Sequence, residues 1–109
     1  MAIVLPTAIN DFFCQANAGD AHAAAHCFST EGEVLDEGKT HHGSAEIAGW
    51  LDASRQAYSA HLTPVRIEGG AESPLVHVKV EGNFSGSPIV LKFHFTLAEK
   101  FIQNLEITS

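Results

Sequence analysis

The chain is 109 residues long, 45% hydrophobic and 17% charged. That is the length of one domain (residues 1–109) with apolar side chains enough for a core, which rules out a disordered chain. Thirteen acidic residues against six Lys and Arg leave a formal net charge of −7, and the scattered cations exclude the basic patch that nucleic acid requires. No stretch approaches the roughly 20 apolar residues that cross a bilayer, so no membrane partner is expected.

In chain order, Met1–Leu5 is apolar but carries no Lys or Arg and stops at Pro6, so it does not read as a signal peptide and a cytoplasmic protein is expected. Thr7 is placed to cap a helix predicted over Thr7–Ala18, in which Ile9, Phe12, Phe13 and Ala16 recur at helical spacing. Gly19 stops that helix, and Asp20 caps a short alanine-rich helix predicted through Phe28. Glu31–Glu37 alternates as a strand does, Gly38 marks a turn, and Lys39–His42 reads as a short second strand. Ser44 is placed to cap a third helix ending near Tyr58, with Ile47, Trp50, Leu51 and Tyr58 in one stripe.

Beyond Tyr58 the chain changes to strand after strand: Leu62–Glu68, Leu75–Asn83, Ile89–Leu97 and Phe101–Ile107. Pro64 predicts an edge or a bulge in the first of these. Val76, Val78 and Val80 alternate with His77, Lys79 and Glu81, and Ile89, Leu91, Phe93, Phe95 and Leu97 share one face opposite Lys92 and His94. Strands with one apolar and one polar face belong to an antiparallel sheet covered on one side, here by the helices, so the expected class is α+β.

Local words strengthen that outline. Phe12-Phe13-Cys14-Gln15-Ala16-Asn17-Ala18-Gly19-Asp20, then Phe28, Val34-Leu35-Asp36-Glu37-Gly38 and Gly43-Ser44-Ala45-Glu46-Ile47, in the order α-α-β-β-α-β-β-β-β, resemble the nuclear transport factor 2-like superfamily. That superfamily includes the ketosteroid isomerases and the SnoaL-like polyketide cyclases. The resemblance implies a cone-shaped fold, in which three N-terminal helices pack in a strongly curved mixed or antiparallel sheet around an apolar pocket. It also implies a homodimer through the outer sheet face.

Asp36 is the candidate catalytic residue. It alternates in phase with Val34, and a carboxylate carried into an apolar pocket loses hydration and becomes a usable general base. By resemblance its position matches the proton-shuttling base of the ketosteroid isomerases; lining the pocket without chemistry, or solvating the next turn, are the alternatives. The other isomerase groups are missing. The position of the tyrosine oxyanion donor is Phe12, and that of the protonated aspartic acid is Leu91, neither of which can donate to an enolate. Loss of even one such donor costs about 10²–10³ in rate, so standard steroid isomerisation is not expected.

Trp50 and Leu51 match pocket-wall positions of the family, with a plain core role as the alternative for Trp50. Tyr58 could turn its hydroxyl to the pocket or to water. With Val34, Val78 and Phe93 these complete the apolar walls. The last strand has two phases. Hydrophobicity turns Phe101, Gln103, Leu105 and Ile107 inward, whereas the resemblance turns Ile102, Asn104 and Glu106 inward; the second is preferred, which would offer Asn104 to a bound carbonyl and leave an apolar outer face for a dimer.

Seven histidines raise a metal site, but His22 and His26 face solvent on a helix whose inward face goes to Ala24, Cys27 and Phe28, so no metal is expected. Cys14 and Cys27 read as packing residues, a disulfide and a reactive thiol being the alternatives. The expectation is a protein that binds a small apolar molecule and uses Asp36, without a cofactor, in an isomerase-, dehydratase- or cyclase-like step. The alternative is a non-catalytic ligand-binding or dimerisation module.

Overall fold

A computed structural model describes residues 3–109. Helix α1 (Thr7–Ala18) buries Ile9, Phe12 and Phe13 and ends at Gly19, whose φ of 84° suits a residue without Cβ. The N–H groups of Gly19 and Asp20 return to the carbonyls of Ala16 and Gln15 at 3.1 and 3.0 Å, closing the last turn. Asp20 then caps α2 (Ala21–Ala25), its Oδ1 accepting from the Ala23 N–H at 3.0 Å. The helix predicted through Phe28 stops three residues short of it. The Cys27 carbonyl accepts from the Ile102 N–H at 2.9 Å and Phe28 pairs with Ile102, so strand pairing overrides the helix preference of the alanines.

Thr7 and Ser44 do not cap as expected. α1 follows Pro6, and α3 (Gly43–Tyr58) follows His42, both without a side-chain cap. Instead the Glu46 carboxylate reaches back four residues to accept from the His42 N–H at 2.7 Å, satisfying a donor at the start of the helix.

The strands are β1 (Phe28–Asp36), β2 (Lys39–His42), β3 (His61–Gly69), β4 (Pro74–Glu81), β5 (Ile89–Ala98) and β6 (Phe101–Thr108). They form one sheet in the order β2-β1-β6-β5-β4-β3. Only β1 and β6 run parallel, so the class is α+β with a mixed sheet. β3 lies at an edge and its register with β4 slips between Pro64 and Arg66, the two contexts in which a strand tolerates proline. Pairing of β1 with β6 is interrupted between Phe28 and Glu33. There a side chain on Gly32 would stand 2.9 Å from the Ser29 carbonyl and the Phe28 Cβ, so only glycine fits the detour.

One face of the sheet meets the helices. Val34, Val76, Val78, Phe93, Phe95, Ile102 and Leu105 from the strands close on Ile9, Phe12, Ala24 and Ile47. Phe12 meets Phe13, Phe28 and Phe95 edge to face at 5.2–6.1 Å between ring centres, an arrangement aromatic quadrupoles favour.

The phase of β6 is settled by neither expectation alone. Leu97 pairs with Ile102 but Thr96 with Asn104, leaving Gln103 as an extra residue. A bulge of this kind turns the alternation over. Ile102 is therefore buried before it and Leu105 after it, while Asn104 and Glu106 are exposed. The apolar outer face expected for β6 is accordingly absent, apart from the 45% exposed Phe101.

Candidate functional site

A cavity of about 730 Å³ lies between α3 and the inner sheet face, closed at one side by the corner between α1 and α2. Its walls are apolar: Trp50 and Leu51 from α3, Leu62 from β3, Val80 from β4, Leu91 and Phe93 from β5, and Ile107 from β6. Its charged groups come from the β1–β2 turn (Asp36, Glu37, Lys39 and, beyond it, His41) and from α3 (Glu46, Asp52 and Arg55).

Asp36 reaches the cavity because β1 alternates: Val34, two residues earlier, is fully buried on the inner face. At the end of β1 the core gives way to the opening, so Asp36 is only half-buried. Its Oδ2 accepts from the Trp50 indole N–H at 3.0 Å. That bond joins the end of β1 to the middle of α3 and fixes the carboxylate against an apolar ring. The His41 ring lies 6.1 Å from the indole, tilted by 32°. None of the cavity carboxylates (Asp36, Glu37, Glu46, Asp52) forms an ion pair with a cationic side chain among the described residues.

The cavity brings together Asp36, Trp50, Leu51, Tyr58, Leu91 and Phe93. Tyr58 is 41% exposed and packs edge to face on Phe84 at 5.8 Å. Phe12, Val34 and Val78, expected in the pocket wall, are instead fully buried in the core and do not line the cavity. Inward phase is necessary for lining but not sufficient, because the helices cover this part of the inner face. Asn104 is corrected too: the bulge at Gln103 leaves it exposed, paired with Glu33 and Thr96 and away from the cavity.

Several lining residues escaped sequence reasoning. His41 shares its phase with Lys39, and Lys39 is in register with Asp36, so assigning β2 to the same sheet face as Asp36 would have found it. Glu46 precedes Trp50 by one helical turn. Arg55 crosses to the α1 terminus, its Nη1 donating to the Gly19 carbonyl at 3.3 Å. Asn17 does not line the cavity but holds its β3 wall in place: its amide donates to the Leu62 carbonyl at 2.7 Å and accepts from the Leu62 N–H at 2.8 Å. No spacing rule announces that contact, which spans 45 residues.

The groups remote from the cavity have simpler roles. His22 and His26 are exposed. Cys14 and Cys27 are free thiols; burial, and then the Asp11 charge, push the Cys27 thiol above its ordinary pKa, which makes it a weak nucleophile. No helix is long and apolar enough to cross a membrane among the described residues.

No protein-family model matches the sequence, nor does any curated protein. Solved structures do match. A candidate polyketide cyclase from Sinorhizobium meliloti is 34% identical, with a TM-score of 0.91 over 95% of each chain. A protein of ketosteroid isomerase-like fold from Catenulispora acidiphila, solved in complex with trimethylamine, is 15% identical with a TM-score of 0.85, over 97% of this chain and 87% of that one. A nuclear transport factor 2-like protein of unknown function from Cytophaga hutchinsonii is 12% identical with a TM-score of 0.77, over 98% and 90%. The last two establish the fold only. With the first, at one residue in three identical over nearly the whole of both chains, they place this chain in the nuclear transport factor 2-like (SnoaL-like) superfamily.

Proposed function

We propose that the cavity binds a compact apolar molecule and that Asp36 moves a proton on it, in an isomerase-, dehydratase- or cyclase-like reaction within a cone-shaped domain. The observation that carries this reading is the Asp36 carboxylate, half-buried where the apolar inner face of β1 meets the cavity and held at 3.0 Å by the Trp50 indole. A positioned carboxylate of this kind can take a proton from carbon and return it elsewhere, a contribution of about 10²–10⁴ in rate. The similarity to a candidate polyketide cyclase supports the same class of chemistry.

The test uses 2-tetralone, a compact ketone with exchangeable α-hydrogens, followed by NMR in heavy water. The protein is expected to speed deuterium uptake, and Asp36→Asn to abolish that acceleration with the unfolding midpoint kept. An Asp36→Asn variant as fast as the native protein overturns the assignment.

One observation favours the alternative, a non-catalytic binder. At the two positions where the isomerases of this superfamily keep oxyanion donors stand Phe12, in the core, and Leu91, in the cavity wall. A binder would shift the ketone's resonances without accelerating exchange. Two copies are further proposed to associate through the outer sheet face, and the free thiols of Cys14 and Cys27 suit a reducing compartment, the cytoplasm.

A further inference from the structure

The cavity carries a charge pattern that general acid–base chemistry does not need. Four carboxylates line it, against the two permanent cations Lys39 and Arg55 and the imidazole of His41. Arg55 is engaged with the Gly19 carbonyl. Lys39 stands in register with Asp36 but forms no ion pair with it. At the β1–β2 end, Asp36, Glu37 and Glu46 thus share a cavity with one aromatic pair, Trp50 and His41, whose ring centres are 6.1 Å apart.

An apolar hollow whose carboxylates lack cationic partners is matched by a ligand that brings its own cation. Ammonium groups are drawn both to carboxylates and to the face of an indole, and the attraction strengthens where water is displaced. Leu62, Val80, Leu91 and Phe93 would cover the rest of such a molecule. Resting on the reading of the cavity as an apolar-ligand site, we infer that its ligand is an organic cation: a protonated or quaternary amine on an apolar body. The cationic end lies at Asp36 and Glu46 beside Trp50, and the body lies toward β5.

Trp50 is the only tryptophan of the chain, so its fluorescence reports on this end of the cavity directly. Three probes of similar size separate the possibilities: benzyltrimethylammonium, its uncharged carbon isostere neopentylbenzene, and the anion 3-phenylpropionate. The cation is expected to bind about tenfold more tightly than the isostere, and the ratio is expected to fall as salt is added. Asp36→Asn and Glu46→Gln are each expected to reduce the ratio; glutamine keeps an acceptor for the His42 N–H, so the start of α3 is retained.

Equal affinity for cation and isostere, or preference for the anion, overturns the inference and leaves the apolar site standing. A cation preference untouched by both substitutions overturns the assignment to Asp36 and Glu46. Failure of all three probes to bind overturns the apolar site as well.

Discussion

Asn17 uses both ends of its amide on one residue. It donates to the carbonyl of Leu62 and accepts from its N–H, so a side chain of α1 takes the place of a neighbouring strand beside β3, an edge of the sheet. Asn17→Ala leaves a part-buried N–H and C=O unpaired at once, a loss of about 1–3 kcal/mol. Chemical denaturation is the measurement, and an unchanged midpoint would show that water replaces the amide at no cost. At this scale the sequence was partly legible. Asp36, Trp50 and Leu91 could be assigned to one face because alternation and helical spacing are local rules. Asn17 and Arg55 could not, since each meets a partner more than thirty residues away through a backbone atom that has no signature of its own.

Among the elements, β2 is the shortest strand and lies at an edge. It is tied to β1 by His42, whose ring stands 3.1 Å from Glu33 and 3.1 Å from Glu31. The Glu33 hydrogen bond, and after it the bond and charge of Glu31, raise the His42 pKa above the ordinary imidazole value. A group whose pKa is raised by folding stabilises the fold fully below its unfolded pKa, and that contribution is lost as pH rises through the folded one. The advantage of the native protein over His42→Ala is therefore expected to be larger at about pH 5.5 than at about pH 8.5. It should be modest, because all three side chains are solvent-exposed. Paired denaturation curves at the two pH values test this, and equal differences would refute it. Strand and helix identities followed from periodicity, whereas the end of α2 and the phase of β6 did not. α2 lost its end to pairing with a strand some seventy-five residues later, and β6 changed phase at Gln103, where both competing patterns were correct on their own side of the bulge.

For the molecule as a whole, the outer sheet face is charged rather than apolar. β4 presents His77, Lys79 and Glu81, with His77 3.7 Å from Glu68 of β3 and Lys79 3.7 Å from Glu81, so that Lys92 and His94 of β5 are the basic groups left over; β1 and β6 present Glu33 and Glu106. In the proposed dimer a two-fold arrangement would set Lys92 and His94 of one copy against Glu33 and Glu106 of the other. Since the attraction is between solvated charges, the proposed dimer is expected to weaken as salt rises. Sedimentation at low and high ionic strength measures it, and a monomer at low salt and high protein concentration overturns it. The sequence points to the same face by a different route, through apolar residues of β6, of which Leu105 and Ile107 turn inward and Phe101 stays exposed.

The strand order has a temporal consequence. β6 follows the other five strands in sequence, yet it sits between β1 and β5 and joins the β2–β1 pair to the β5–β4–β3 meander. During synthesis the meander can assemble as each hairpin is made, but the β1–β2 hairpin has no further neighbour in the sheet until residues 101–108 exist. Until then the apolar inner side of β1, with Phe28 and Val34, is uncovered on its β6 edge, and the cavity lacks its Ile107 wall. A growing chain of this topology completes its cavity only once β6 has been made, and anything that delays those eight residues prolongs the interval in which it is open to aggregation.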